Sequence, residues 1–441
     1  MQIGFYLALL ALIGLGALWR PEIAVTGVLS IFGLKQWGQT ASPFLAAHGT
    51  FTNIAIGLIV LCAILVRLAR GQCVFCNIRR STWVVMGLYA YAFLSLTWTP
   101  RLDLASNVWL HDAPYVLTVV FLAPLCVSSA KQLEVSYRML VIAGGVLVLA
   151  LLVLGKWGNR GLLMGEGNSD METNPLAIAA LAGSVASAAM FVGWRRFAAL
   201  GWVVRLLVVA ACLAVIIRSG SRGQFIAALA ALVVMLPIGF QISRVRGFIP
   251  IIVGVVVIAA ATAYAATNYI RRDDARWDQS VAQSAVSTRL EFGRKVLSAW
   301  TESPFNILFG LGNSASYDPR ILGGYPHNVA LETLAEEGLV GIAVYLQVIW
   351  LAGRGLFEGL RIARQRPEIR GVLAASSANF LFSLVISLKE GSMISSSFYF
   401  LAALLLARIP ELALADAGEP AAAQTPAAPM PAGPVFANMM R

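Results

Sequence analysis

The sequence predicts an all-α fold, a polytopic membrane protein of 12–13 transmembrane helices with one large external loop. Three observations predict it. Of 441 residues, 59% are hydrophobic and only 12% charged, where a soluble domain carries about 25% charged residues. The mean hydropathy is +0.76. The apolar residues come in repeated blocks of about 20, the length an α-helix needs to cross ~30 Å of hydrocarbon. A soluble globular protein, a disordered chain and a disulfide-stapled secreted domain are excluded. An outer-membrane barrel is disfavoured too, because its strands alternate apolar and polar residues over ~10-residue segments.

Apolar spans fall near 3–18, 22–34, 52–66, 82–98, 113–128, 139–155, 174–193, 199–217, 223–240, 249–269, 338–353, 371–388 and 393–408. The second is short for a crossing, which leaves the N-terminal side open. No basic segment precedes residues 3–18, so they lack the pattern of a cleavable signal. Basic residues sort the connections into two sets. Arg67, Arg70, Arg79 and Arg80 share one loop, Lys131 and Arg138 another, then Arg195 with Arg196 and Arg244 with Arg246. Arg354, Arg361, Arg364, Arg366 and Arg370 crowd the last of this set, which should therefore be cytoplasmic. The external set is 99–112, 156–173, 218–222, 270–337 and 389–392.

This divides the chain into helices 1–10 over residues 1–269, an external loop over 270–337, C-terminal helices over 338–410, and an Ala/Pro-rich cytoplasmic tail over 411–441 whose composition favours disorder. The long loop is well supplied with anchors such as Trp277, Phe292, Trp300, Phe305 and Tyr317, and long ordered loops are usually functional. Within it, residues 284–301 place Val286, Leu290, Leu297 and Trp300 on one face of an amphipathic helix. Such a helix would lie on the membrane surface or cap a cavity.

The net charge of +11 does not point to nucleic acid, since no basic run is interleaved with stacking aromatics. Cys62, Cys126 and Cys212 lie in apolar spans, and Cys73 with Cys76 form a lone C-x-x-C, a weak zinc or redox signal. No D-x-D, H-x-x-x-H or nucleophile elbow is present, and Glu336 and Glu337 are adjacent, so they point about 100° apart on a helix. No metal or cofactor is implied. Mid-span carboxylates are absent, which argues against an ion-coupled transporter.

The chemistry therefore sits on the external side. In I-I-R-S-G-S-R-G-Q (216–224), Arg218 and Arg222 stand four apart at a tight turn between two spans, where a planar guanidinium suits phosphate. Interfacial anchoring is the competing role, more so for Arg218. Arg289, Arg294 and Lys295 lie on the amphipathic segment, one of them expected to face inward. His327, in G-Y-P-H-N-V-A-L-E-T-L-A-E-E-G-L-V-G, opens a helix close to arginines, where a neutral imidazole could serve as a base. His48 and His111 have no companion motif.

The order S-G-S-R-G-Q, then S-T-R-L-E-F-G-R-K-V-L-S-A-W, then G-L-G near 310–312, then P-H-N-x-x-L-x-x-L-x-E-x-G-L-x-G, resembles the O-antigen ligase and polymerase superfamily over roughly 205–350. The resemblance implies a GT-C-like, multi-pass enzyme of the bacterial inner membrane, with a periplasmic loop over a cavity. It implies transfer of a glycan from undecaprenyl pyrophosphate to an acceptor hydroxyl, lipid A–core in ligases, without metal or nucleotide sugar. Carried over residue by residue, it implies His327 as general base and Arg222 and Arg289 as diphosphate ligands, with Arg218 and Asn328 as weaker candidates. The polymerases of the same superfamily are the alternative.

Overall fold

The computed structural model describes residues 2–75, 78–158, 161–164, 172–193, 198–240, 260, 264 and 279–418. Among these the chain is helical, with isolated bridges in place of strands. In order, and leaving aside a five-residue helix at Pro43–Ala47, the helices are α1 (Gln2–Trp19), α2 (Ile23–Ala41), α3 (Phe51–Ala69), α4 (Arg80–Leu94), α5 (Leu102–Cys126), α6 (Ala130–Leu154) and α7 (Pro175–Phe191). After them come α8 (Ala198–Arg218), α9 (Arg222–Phe240), α10 (Gln279–Trp300), α11 (Pro304–Phe309), α12 (Val329–Gln365), α13 (Arg370–Ser387), α14 (Ser397–Ala407) and α15 (Ile409–Ala415).

Among the described residues, eight helices are long and apolar enough to cross a membrane, or nine if the bent pair α14 and α15 is one span. The expected span at 249–269, apart from residues 260 and 264, lies outside the described residues. Three other expected spans form helices that are shorter or more polar. α4 has 15 residues and α7 has 17, and α2 ends in Lys35, Gln36 and Gln39. The protein is an all-α, multi-pass membrane protein.

Side-chain size sorts the helices. α7 (PLAIAALAGSVASAAMF) and α13 (RGVLAASSANFLFSLVIS) are rich in Ala, Gly and Ser and lie buried. Small residues let backbones approach where lipid and protein are equally apolar. Gly183 of α7 sits under the ring of Phe382 of α13, a position with no room for a Cβ. α1 is equally apolar but Leu-rich; it buries Tyr6, Leu9, Ile13 and Ala17 and turns Leu7, Leu12 and Leu15 outward.

Two boundaries differ from the sequence expectation because helices run past their apolar blocks. α5 begins at Leu102, inside the stretch expected as loop. α12 begins at Val329 rather than 338, and Gly338, at φ 68° and ψ −164°, kinks it where the apolar run starts. Glycine is needed there because side chains rarely adopt that backbone. Of the expected tail, Glu411 to Ala415 belong to α15, with Leu412 and Ala413 buried, while 419–441 lie outside the described residues. Arg67, counted above as a loop charge, is buried and donates to the Leu125 carbonyl at 2.9 Å; Arg408 does the same for Pro124 and Val127. Cys73 is disulfide-bonded, and Cys76 lies outside the described residues.

Candidate active site

Arg222 is set by a three-residue turn. α8 ends in a Schellman cap: the Ser221 N–H donates to Ile216, the Gly220 N–H to Ile217, and Gly220 takes φ 67°. The chain re-enters helix at once, which puts Arg218 on the last turn of α8 and Arg222 on the first of α9. The two arginines part there. Arg218 lies over the Trp157 ring at 5.1 Å and donates to the Leu152 carbonyl, the placement of an anchor.

The loop that leads to His327 is braced by a backbone contact at one glycine pair. Gly310 and Gly338 pack main chain on main chain; a Cβ on Gly338 would come 2.5 Å from the Gly310 nitrogen and the Leu308 oxygen. The Leu311 and Gly312 N–H groups donate to the carbonyls of Ala335 and Glu336, both at 2.9 Å. The Glu336 carboxylate accepts from the Ser314 and Ser316 N–H groups, and Glu337 accepts from the Asn313 amide at 3.1 Å. These carboxylates, whose role the sequence left open, hold the loop that carries the site.

The loop delivers Tyr325, Pro326 and His327 to the head of α12. His327 adopts φ 57°, left-handed for a non-glycine residue, and Asn328 then caps the helix by accepting from the Leu331 N–H at 3.0 Å. Asn328 is thus a cap in this structure. The His327 ring packs on Tyr325, with centroids 4.1 Å apart, and lies nearly parallel to Phe292 at 6.3 Å and 12°. Partial burial lowers its pKa from the ordinary 6.5, and the charges of Arg289 and Lys389 lower it further. The imidazole is therefore biased to the neutral form that accepts a proton.

Arg289 shares a helix face with Phe292, Gly293 and Val296, at spacings of three, four and seven. That face packs inward: Val296 is fully buried, and Gly293 lies against Leu331. Arg289, Arg294 and Lys295 are all exposed, and Lys295 pairs with Glu291 at 2.8 Å. Of the three basic residues on α10, Arg289 is the one that acts on His327. Of the expected apolar face, Leu290 is 61% exposed and Leu297 37%, so neither is covered by protein.

Sequence reasoning missed Lys389. It follows α13, and its stem crosses Gly223, where a Cβ would come 2.7 Å from Lys389 Nζ. Its charge also acts on His327, so it bridges the Arg222 turn and the imidazole. Glu390 accepts from Lys389 at 3.2 Å and from the Gln224 amide at 2.9 Å. The signal was a lone Lys-Glu pair in an otherwise uncharged external hairpin. Beside it opens a cavity of about 500 Å³, with Gln224, Tyr317, Tyr325, Glu390 and Asp112 in its polar wall and Phe32, Phe382 and Phe398 in its apolar one.

The charges of Arg289 and Lys389 both reach His327, and Gly223, the residue after Arg222, packs against the Lys389 stem. Among the described residues, no group of three or more His, Cys, Asp or Glu side chains is placed to hold a metal ion. No curated protein matches the chain. Residues 207–346, which hold Arg218, Arg222, Arg289, His327 and Asn328, match the family model described as O-antigen ligase.

Proposed function

We propose that this protein is an O-antigen ligase-type glycosyltransferase, which moves a glycan from undecaprenyl pyrophosphate to an acceptor hydroxyl, with lipid A–core as the acceptor. One observation carries the reading: a half-buried histidine with a lowered pKa, held in a left-handed turn and facing two cations. A base kept neutral beside cations suits a reaction in which a hydroxyl loses a proton while a diphosphate gains charge.

In the proposed step, the acceptor oxygen bonds to the anomeric carbon as His327 takes its proton. The bond from that carbon to the phosphate oxygen breaks, and its electron pair leaves with undecaprenyl pyrophosphate. Arg222 and Arg289 stabilise the charge that grows there, each through a planar fork matched to phosphate oxygens. Divalent cations commonly neutralise such a leaving group; here the arginines take that role.

A periplasmic site is supported by α12, which starts beside His327 and ends among Arg361, Arg364 and Arg366. Basic ends favour the cytoplasm, which would set His327 on the opposite side of the inner membrane. The test is the lipopolysaccharide banding of a deletion strain. Loss of all long chains supports the ligase, a single repeat on core assigns the polymerase, and unchanged banding overturns both.

A further inference from the structure

Lys389 and Glu390 sit in the turn between α13 and α14, outside the stretch that matches the family model. We propose that Lys389 is a further substrate-binding residue, gripping the diphosphate of a polyprenyl-linked donor between Arg222 and His327. The inference rests on the transferase reading above and names one more ligand of the same site.

Its position comes first. The lysine stem occupies the space that a side chain on Gly223 would fill, so the glycine after Arg222 leaves room for the lysine to lie there. The ammonium is fixed rather than neutralised away: it pairs with Glu390, whose other oxygen is held by Gln224. An ammonium has three N–H donors, and this pair uses one. Next to it, Ser221 Oγ and Gln224 Oε1 are buried without a hydrogen-bond partner among the described residues. A hydroxyl in want of a partner, one residue before Arg222 and two before the glycine that Lys389 crosses, suits an anion rich in acceptor oxygens. The groups that face His327 are Arg289 of α10, Lys389, and the rings of Tyr325 and Phe292, so lysine is one of two cations that keep the imidazole neutral.

The test uses the full chain in nanodiscs, with undecaprenyl pyrophosphate as probe and inorganic pyrophosphate as competitor. Lys389→Met should weaken probe binding about 10- to 100-fold, the worth of a charge-assisted hydrogen bond. It should also raise the pKa of His327, read by NMR among the three histidines of the chain and assigned with His327→Gln. Gly223→Ala, which pushes the lysine aside, should act in the same direction and lose its effect in a Lys389→Ala background. Wild-type affinity in a folded Lys389→Met, or an equal effect of Gly223→Ala with and without the lysine, overturns the inference. If Arg222→Ala abolishes binding while Lys389→Met does not, this inference alone falls. If wild type does not bind the probe, or Arg222→Ala leaves binding intact, the transferase reading falls and takes this one with it.

Discussion

The Glu336 carboxylate accepts from the N–H groups of Ser314 and Ser316, at 2.6 and 3.0 Å, and so ties the first turns of α12 to the loop that presents His327. Ser314 and Ser316 are themselves buried. Glu336→Ala would leave two buried donors unpaired, a loss of about 2–6 kcal/mol. Glu336→Gln keeps one acceptor oxygen and should lose less. Thermal unfolding in detergent checks both; an alanine variant as stable as wild type would contradict the assignment.

Gly338→Ala should be more damaging. The added Cβ meets the Gly310 nitrogen and the Leu308 oxygen at 2.5 Å, and both are backbone atoms that cannot swing aside. Its φ of 68° adds strain of about 1–3 kcal/mol. The expected outcome is poor yield of folded protein, compared by size-exclusion profile with Gly353→Ala, where open space surrounds the new methyl.

The three candidate side chains should separate in kinetics. His327→Ala should slow transfer ~10²–10⁴-fold and leave donor affinity nearly unchanged. Arg222→Ala and Arg289→Ala should weaken donor binding and also slow the chemical step, because the same contacts serve ground state and leaving group. Lysine at either position should rescue in part, having the charge without the fork. Loss of donor binding in His327→Ala, with Arg222→Ala unaffected, would reverse the roles.

The pH dependence has a definite sign. His327 has its pKa lowered from 6.5 by burial, then by Arg289 and Lys389. The acid limb of kcat/KM should therefore lie below pH 6.5, and Arg289→Gln should move it upward. Stability follows the same linkage: as pH falls from 6.5 towards the folded pKa, the unfolded chain takes up the proton first, so the wild type loses stability relative to His327→Gln. Comparing the unfolding midpoints of the two proteins across that window checks it.

Transfer by the purified protein should survive EDTA, since Arg222 and Arg289 supply the positive charge. Abolition by EDTA with recovery on adding Mg²⁺ would contradict this.

Much of the helical frame was legible because apolar runs of membrane length leave few other structures open. Which face of a helix meets protein was not. On α10 the apolar face read from the sequence holds Leu290 and Leu297, while the side covered by protein holds Val296 and Ala299, with Phe292 half-buried. Beside a bilayer, hydrophobicity cannot tell protein from lipid, and small or well-shaped residues mark the packed side instead. Arg222, Arg289 and His327 were readable as rare polar groups in motifs. Lys389 was not, because its meaning depends on Gly223, far away in sequence. Glu336 and Glu337 looked like a failed metal pair and turned out to be acceptors for backbone and amide donors.

Gln224 and Glu390 meet across 166 positions of sequence. The order of synthesis gives that distance a meaning. Arg222 enters the membrane early, with its neighbouring groove still vacant, and the hairpin that fills it emerges only after α12 and α13. A chain stopped before residue 388 would carry every motif of the family match and still lack one wall of its site. For the proposed transferase, completion of the site would thus wait for the last helices of the chain.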